Sequence, residues 1–236
     1  MNRIILALVA CLSPAIVCAD VPGYTEPYKT ITVSAAEPGV IAEVLVEEGA
    51  RVKKNQIVAK LDTAQHEAEL DIAKTQTELQ RLKVTKLEEI VRSQRISQDE
   101  LDRARTDLKI RQAEVRKIQA VIENRIMRSP VDGIVSEVKR DASEAVSLSN
   151  PHVLTVVHID RLLVNLFLPP ARAAQMKVGG TVALFLGENA QPATGIVEFI
   201  SPVTDAASGT VRVKFVLENA NGEYRSGTTA QLATRG

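Results

Sequence analysis

Residues 39–52 read GVIAEVLVEEGARV and residues 133–146 read GIVSEVKRDASEAV, so one pattern occurs twice in the chain. The alignment pairs Gly39 with Gly133, Val44 with Val138, and Val52 with Val146. A half-domain of this size, rich in β-branched residues, cannot close a hydrophobic core alone and has to pack against its twin. Residues 39–61 and 133–157 are therefore predicted to form one small β-domain from two distant stretches of chain.

The segment between the two copies is predicted to be a helical hairpin. Residues 63–129 contain neither glycine nor proline, and their apolar residues recur at helical spacing. Asp62 or Thr63 can cap the first helix, and residues 97–100 read SQDE, a capping box that begins the second. The chain is therefore expected to reverse at residues 93–97. The second helix is expected to end near Met127, because Pro130 forces the chain out of helical geometry.

Each predicted helix carries an apolar stripe typical of a coiled coil. In the second helix the stripe keeps a three-four alternation interrupted only by Arg111, and its members are Leu101, Ala104, Leu108, Val115, Ile118 and Ile122. In the first helix the stripe shifts phase, which we interpret as a stutter, and its members are Ala68, Ile72, Leu79 and Leu82, then Leu87, Ile90 and Val91. The remaining faces carry interspersed charges, so the hairpin is expected to be a solvated spacer.

The first residues have the features of a secretory signal peptide. Arg3 precedes an apolar run at residues 4–17, and the small residues at 17–19 favour cleavage before Asp20. Both cysteines, Cys11 and Cys18, lie within this segment, so the mature chain would contain no disulfide and no thiolate metal ligand. Residues 8–11 read LVAC, which also resembles a lipobox, so a lipid anchor at Cys11 stays open as an alternative.

Composition and charge argue against several classes of function. The 236-residue chain contains 3% aromatic residues and no tryptophan, and its 29 basic residues balance 29 acidic ones. Loss of Arg3 with the signal leaves 28 against 29, a net charge of −1, so no basic field would attract nucleic acid or anionic lipid. The histidines lack metal-ligand spacing, and they are His66, His152 and His158. We therefore expect no catalytic residues, no metal and no cofactor.

Two further regions are predicted to be mainly strand. Residues 29–36 alternate as a first strand after a short lead from residue 20. Beyond residue 158, further strands are predicted at residues 162–168, 182–186, 195–200, 211–217 and 229–233. A short helix begins at Pro169-Pro170, runs through Met176, and is ended by Gly179-Gly180. Several short strands around one small helix indicate a compact barrel.

In their order along the chain, these parts resemble the periplasmic adaptors, or membrane fusion proteins, of the HlyD and RND type. The resemblance covers nearly the whole mature chain. It rests on the motif at residues 39–62, on SPVDGIV at residues 129–135, where the second half begins, and on the hairpin between them. It also rests on the barrel motifs GIV, ISP and SGT at residues 195–197, 200–202 and 226–228. It implies an elongated multidomain protein that is mainly β with a long α-helical coiled-coil hairpin, built from a split lipoyl-like β-sandwich, the α-hairpin and a small β-barrel.

The expected domains follow from the motifs and the resemblance together. They are a signal peptide at residues 1–19, a lead and first strand at 20–36, the first lipoyl-like half at 37–62, the helical hairpin at 63–128, the second lipoyl-like half at 129–158, and the β-barrel at 159–236. No substantial membrane-proximal domain is expected after Gly236. In the family that domain touches the transporter, so the mode of transporter contact stays open.

The resemblance also implies a function without enzymatic activity. It is that of a periplasmic adaptor, associated with the inner membrane, that links an inner-membrane transporter to a TolC-type outer-membrane channel for efflux of small molecules. Family membership further implies a homo-oligomer, a trimer or a hexamer, and no nucleic-acid partner. The cleavable signal favours an RND transporter. Adaptors of type I protein secretion or ABC-type export share the same parts and remain an alternative.

The resemblance nominates residues at the hairpin tip as contacts with the channel. Efflux-type members carry an arginine, a leucine four residues later, and a serine seven residues beyond the leucine. That spacing falls on Lys86, Ile90 and Ser97, and Arg95 completes the candidate set. Lysine lacks the planar guanidinium that makes bidentate contacts. Each motif position also has an ordinary interpretation: Lys86 as a solvated charge, Ile90 as a coiled-coil residue, and Ser97 as a helix cap.

Two interpretations from other classes stay open at the level of sequence. A lipoyl or biotinyl carrier would use the same half-motifs, but carriers present their lysine on the turn that joins the halves. Here the hairpin replaces that turn, and Lys53, Lys54 and Lys60 lie within the first half-motif. A passive coiled-coil scaffold would have the hairpin but no role in transport.

Overall fold

A computed structural model of the chain describes residues 22–92 and 98–233. These residues form two compact units, one of residues 27–160 and one of residues 22–26 and 161–233. The predicted signal peptide, with Cys11 and Cys18, and the predicted hairpin reversal at residues 93–97 lie outside the described residues. Within the two described stretches, no helix combines the length and the apolarity needed to cross a bilayer.

The unit of residues 27–160 contains β-strands on both sides of a helical pair. Its strands before the helices are β1 (Gly23–Ser34, which begins in the other unit), β2 (Gly39–Val44), β3 (Arg51–Val52) and β4 (Ile57–Leu61). The helices are α1 (Ala64–Arg92) and α2 (Gln98–Asn124). Its strands after the helices are β5 (Ile126–Arg128), β6 (Gly133–Val138), β7 (Ala145–Val146) and β8 (His152–Leu168, which continues into the other unit).

The two copies of the repeated motif pair with each other reciprocally. Gly39 of β2 lies opposite Val146 of β7. Gly133 of β6 lies opposite Val52 of β3. Each glycine therefore faces the valine that the repeat places thirteen residues after the other glycine. This reciprocal pairing confirms that the two distant stretches form one β-domain.

The core of this β-domain draws on both halves. One sheet has the order β5-β4-β2-β7, and strands β3, β6 and β8 pair in that order in the other. Their buried side chains form one hydrophobic cluster, which includes Ile41, Val52, Val58 and Leu61 from the first half and Val135, Val146, Leu154 and Val156 from the second. Neither half could bury these side chains alone. The helices between the halves contribute nothing to this cluster, so they can project from the domain.

The second unit is a closed β-barrel. After β8 come α3 (Pro170–Ala173), β9 (Thr181–Leu186), β10 (Gln191–Thr204), β11 (Val211–Glu218) and β12 (Thr229–Leu232). The strand order is β1-β12-β9-β10-β11-β8, and a further pairing of β1 with β8 closes the circle. Buried side chains that include Leu166, Leu184 and Phe215 fill its interior. Closure removes the exposed sheet edges that invite aggregation.

Several predicted boundaries were wrong. Helix α2 ends at Asn124 and not near Met127, because residues 126–128 pair with β4 as strand β5. Strand β1 begins at Gly23 rather than at residue 29, because Gly23 and Tyr24 pair with β12 in the barrel. A Cβ at Gly23 would lie 2.2 Å from the Asn165 carbonyl oxygen, so this close approach requires glycine. Helix α3 ends at Ala173 instead of Met176, and β10 begins at Gln191, four residues before the predicted strand.

Candidate functional site: the helical hairpin

The root of the hairpin is fixed by capping interactions at the start of α1. The Ala64 amide donates to Asp62 Oδ1 over 2.9 Å, and the Thr63 hydroxyl donates to Glu67 Oε1 over 2.6 Å. The first bond satisfies a backbone amide that an uncapped first turn would leave without a partner, and the second joins two side chains across that turn. The predicted cap at Asp62 is confirmed, and the helix direction is thereby set where the chain leaves the β-domain.

Arg125 joins the two ends of the hairpin and was missed in the sequence. Its Nη1 donates to the Asp62 carbonyl over 2.9 Å, so the end of α2 is tied to the start of α1. Its Nε lies 3.7 Å from Glu37 Oε2, and its side chain is only 13% exposed. A lone arginine after a helix has no distinguishing sequence signal. Only the return of the chain to its starting point reveals the role of this residue.

The apolar stripe predicted for α2 is confirmed. Leu101 and Ala104 are each 3% exposed, and the other predicted members are half-buried against α1: Leu108, Val115, Ile118 and Ile122. Arg111, where the sequence interrupts the stripe, donates from Nη1 to Gln76 Oε1 on α1 over 3.0 Å. Where the apolar stripe is interrupted, the two helices are therefore joined by a hydrogen bond.

The apolar stripe predicted for the first part of α1 was wrong. The side chains of Ile72, Leu79 and Leu82 are 60%, 70% and 53% exposed, so they lie outside the buried contact with α2. The side of α1 that is turned inward is an unbroken heptad series with no stutter: His66, Leu70, Ala73, Thr77, Gln80, Val84, Leu87 and Val91. We call this series the α1 seam. It escaped prediction because Thr77 and Gln80 are polar, whereas apolar residues occupy the outer face.

Polar bonds across the seam fix the register of the two helices. Gln80 Nε2 donates to the Ala104 carbonyl over 3.0 Å. Arg105 donates from Nη2 and Nε to Glu88 Oε1, over 2.7 and 3.2 Å. A polar residue within an apolar seam favours the one register in which it is satisfied, at some cost in stability. The hairpin is therefore a helix pair of defined alignment.

The structure places two of the four predicted channel contacts. Lys86 is exposed on the face of α1 that points away from α2. Ile90 is half-buried, but Val91, not Ile90, packs against the cluster of Val84, Leu87, Leu101 and Ala104. The interpretation of Ile90 as a seam residue was therefore wrong. Arg95 and Ser97 lie outside the described residues, so their role stays a prediction.

The histidines and the groove at the hairpin base offer no metal site. His66 lines an open groove of about 460 Å³ between the helices, together with Ala73 and Val121. His152 contacts the Thr155 hydroxyl, and His158 contacts the Asp132 carbonyl oxygen over 2.8 Å. Among residues 22–92 and 98–233, no cluster of His, Asp or Glu could hold a metal ion.

Comparison with known proteins agrees with this architecture. Residues 163–236 match the CusB-like β-barrel domain family. Over 223 residues, or 88% of the chain, the sequence is 26% identical to the multidrug resistance protein MexA of Pseudomonas aeruginosa, 58% of which is covered. Along most of its length the chain is therefore similar to MexA, and its last third matches the CusB-like barrel domain.

Solved structures of membrane fusion proteins share the fold. A MacA–MexA chimera that carries the α-hairpin domain of Pseudomonas aeruginosa MexA superposes with a TM-score of 0.78 at 19% identity, over 89% of this chain and 76% of that one. Spr0693 from Streptococcus pneumoniae R6 gives a TM-score of 0.74 at 19% identity, over 91% of this chain and 100% of that one. These likenesses confirm the predicted fold class.

The chain spans about half the length of the curated relatives that it matches. It covers 58% of MexA and 52% of an uncharacterized protein of Haemophilus influenzae, to which it is 24% identical over 204 residues.

Proposed function

We propose that the chain is a periplasmic adaptor that links an inner-membrane transporter to a TolC-type outer-membrane channel for efflux of small molecules. The observation that carries this proposal is a helical hairpin inserted between two interlocked halves of a β-domain. At 1.5 Å per residue, the 29 residues of α1 give an arm about 40 Å long. Such an arm can hold a contact at its tip at a fixed distance from its root.

The interactions within the hairpin support a mechanical role. The tie from Arg125 to Asp62 holds the two helix ends together at the root, and the bond from Gln80 to Ala104 holds their alignment along the arm. The arm needs no catalytic chemistry, because its role would be only to hold the tip in place so that a path for solutes can form. Efflux would then depend on where the tip residues lie and not on any bond made or broken.

We infer that Lys86, Ile90, Arg95 and Ser97 contact the channel. Lys86 supports this role because its charge is exposed and lies within two turns of the end of α1. A single ammonium group offers one rotatable point charge, so the contact at Lys86 would be less directional than one made by arginine.

The match to a barrel family named for RND systems supports an RND transporter as the inner-membrane partner. An ABC-type exporter is the alternative. We further infer a periplasmic location at the inner membrane and a homo-oligomer, a trimer or a hexamer.

Deletion of the outer part of the hairpin tests the adaptor role. Residues 79–108 would be replaced by a short glycine linker that joins Glu78 to Lys109. These two ends lie at nearly the same level, because the neighbouring Gln76 and Arg111 are hydrogen-bonded across the helices. The expected result is a folded, exported protein that no longer supports extrusion of the substrate. If extrusion survives, the passive scaffold becomes the better interpretation.

A photocrosslinking residue at Lys86 tests the tip contact directly. The expected result is an adduct that mass spectrometry identifies as the TolC-type channel. The same residue placed at the exposed Lys74, nearer the root, is the matched control and should give no channel adduct. Equal channel capture from both positions would contradict a contact confined to the tip.

A further inference from the structure

Two turns of the β-barrel unit have the same length and lie at the same end of the barrel. The first, residues 187–190, reads GENA and joins β9 to β10, and the second, residues 219–222, reads NANG and follows β11. We call them the GENA turn and the NANG turn. Gln191, next to the first turn, donates from Nε2 to Oε1 of Glu223, next to the second, over 3.1 Å. The two turns therefore have similar surroundings.

The backbone of the two turns is also alike. In each, the amide of the fourth residue donates to the carbonyl oxygen of the first: Ala190 to Gly187 over 3.2 Å, and Gly222 to Asn219 over 2.9 Å. This bond is the usual hydrogen bond of a β-turn. The fourth residue has positive φ in both turns, 49° at Ala190 and 68° at Gly222. A difference in reactivity between the turns would therefore come from their side chains.

The third residue of each turn is an exposed asparagine, Asn189 in the GENA turn and Asn221 in the NANG turn. The side-chain amide of asparagine can be attacked by the backbone nitrogen of the next residue, and a Cβ on that residue hinders the attack. Ala190 carries a Cβ, whereas Gly222 has none. The sequence contains no other Asn-Gly pair. The two turns thus differ at the atom that matters for this reaction.

We propose that Asn221 is a site of spontaneous deamidation. The Gly222 nitrogen loses its proton to water and bonds to Asn221 Cγ, and the Cγ–Nδ2 bond breaks with release of ammonia. The product is a five-membered succinimide ring. Water then opens the ring: cleavage between the nitrogen and Cγ gives aspartate, and cleavage between the nitrogen and the backbone carbonyl carbon gives isoaspartate. The net reaction consumes one water molecule and needs no enzyme.

The surroundings of Gly222 leave room for the ring. Apart from its chain neighbours, no atom of the described residues lies within 4 Å of the position that a Cβ on Gly222 would take. The Gly222 amide must first leave its bond to the Asn219 carbonyl oxygen. Because this is a single hydrogen bond at an exposed tip, it should slow the reaction by no more than about tenfold relative to an unfolded chain.

The asparagine at the start of the NANG turn is held in a different way. Asn219 is 3% exposed, and its side chain makes two bonds to the backbone of Tyr224. Its Nδ2 donates to the Tyr224 carbonyl over 2.9 Å, and its Oδ1 accepts from the Tyr224 amide over 2.8 Å. These bonds hold the side chain of Asn219 away from the reaction and anchor the loop below the tip. We therefore expect the modification to leave the barrel folded.

Both products change the charge at this end of the barrel. Aspartate and isoaspartate each add one negative charge two residues from Glu223 and at the same end of the barrel as Glu188. Isoaspartate also adds one carbon to the path of the backbone. Since the reaction proceeds without an enzyme, the fraction of modified chains would increase with the age of the protein.

Peptide mass spectrometry over time tests the proposal. The purified full-length chain is incubated in its folded state at mildly alkaline pH, and conversion of an asparagine adds about 1 Da to its peptide. Asn221 should react at least about tenfold faster than Asn189, because glycine lacks the Cβ that hinders attack. In the control Asn221→Gln the mass increase should vanish, since glutamine would have to close a larger ring. Equal rates at Asn189 and Asn221, or an unchanged mass at Asn221, would overturn the proposal.

Two reciprocal substitutions test whether the following residue controls the reaction. Gly222→Ala should slow the conversion of Asn221, and Ala190→Gly should make Asn189 react at a rate close to that of Asn221 in the native chain. Both variants should fold, because the GENA turn already accepts alanine at positive φ and the NANG turn already accepts glycine. Circular dichroism checks this. If neither substitution changes the rate at its asparagine, the proposed mechanism is wrong.

Unfolding in urea separates the contribution of the turn from that of the Asn-Gly pair. Asn221 should react no more than about tenfold faster in the unfolded chain than in the folded one. A reaction seen in urea alone would mean that the NANG turn protects Asn221, and the native protein would then have no such site.

Discussion

The two halves of the β-domain pair in the same way but have different surroundings. At Gly133, an added Cβ would lie 2.4 Å from the Val157 carbonyl oxygen, which belongs to the backbone of a neighbouring strand. At Gly39, an added Cβ would lie 3.1 Å from Arg125 Nη1, which is the end of a long side chain. The repeated glycine thus meets a rigid neighbour in the second half and a movable one in the first.

This difference arises because the hairpin leaves from the first half. In the second half, the repeat is followed by strand β8, and the backbone of β8 lies directly against Gly133. In the first half, α1 follows at the same point, and the space beside Gly39 holds the arginine that ties the helix ends together. The same repeated pattern therefore packs against a neighbouring strand in one copy and forms the root of the hairpin in the other.

The largest difference between the halves is expected on adding a methyl group to each glycine. Gly133→Ala should lower the free energy of unfolding by about 3 kcal/mol, because a backbone carbonyl cannot move aside without disturbing the sheet. Gly39→Ala should cost less than about 1 kcal/mol, because the Arg125 side chain can shift by a few tenths of an ångström. Urea unfolding of both variants, followed by circular dichroism, measures the two costs. Equal costs would mean that the surroundings of the glycines do not differ as described.

Much of this fold could be predicted because its signals are local and redundant. The repeat is visible in Gly39 and Gly133 and in the valines paired with them, and the hairpin in a long stretch that lacks glycine and proline. The α2 stripe is visible because a single face of that helix carries the large apolar residues. Strand β1 was missed in part because its first residues pair with β12, about 200 residues away, and local alternation carries no such information.

The α1 seam could not be predicted because α1 has two stripes of the same period. Periodicity identifies a stripe but not the side on which the partner lies. Over residues 66–82, Ile72, Leu79 and Leu82 make the outer face of α1 more apolar than the seam. What decides the side is a set of polar contacts with α2, such as the bond from Gln80 to Ala104. Such contacts have no sequence signature, and for the same reason Arg125 was not recognised.

Removal of the Arg125 side chain should affect the first half of the domain alone. Arg125→Ala is expected to lower the free energy of unfolding by about 2 kcal/mol, because the largely buried guanidinium bonds the Asp62 carbonyl and lies beside Glu37. Arg128→Ala is the control. Its side chain is 39% exposed, in an ion pair with Glu123 and a long 3.3 Å bond to the Asn55 carbonyl, so its loss should cost less than about 1 kcal/mol.

The same variant sharpens the comparison of the glycines. If Arg125 is what the added methyl group meets, Gly39→Ala should cost less in the Arg125→Ala background than in the native chain. Gly133→Ala should cost the same in both backgrounds, because its neighbour is Val157. Additive costs for Gly39→Ala and Arg125→Ala would show that the two residues do not interact.

The smallest expected effect concerns the turn that the repeat places ten residues after each glycine. Gly49 has φ of 84°, as predicted, and the equivalent Ser143 has φ of 71°. Both amides donate across the domain over 2.8 Å, Gly49 to the Val135 carbonyl and Ser143 to the Ile41 carbonyl, so both halves need this conformation. For a residue with a Cβ, the left-handed region costs about 1–2 kcal/mol. The second half therefore carries a strain that the first avoids.

Substitutions at these two turns should consequently change the free energy of unfolding in opposite directions. Gly49→Ala should destabilise by about 1 kcal/mol. Ser143→Gly should stabilise by about 0.5 kcal/mol, since relief of strain exceeds the roughly 0.5–1 kcal/mol of extra chain entropy that glycine brings to the unfolded state. No atom lies within 4 Å of the Cβ position at Gly49, so a clash cannot account for its cost. Thermal unfolding of the two variants measures the signs, and a loss of stability in Ser143→Gly would show that Ser143 is not strained.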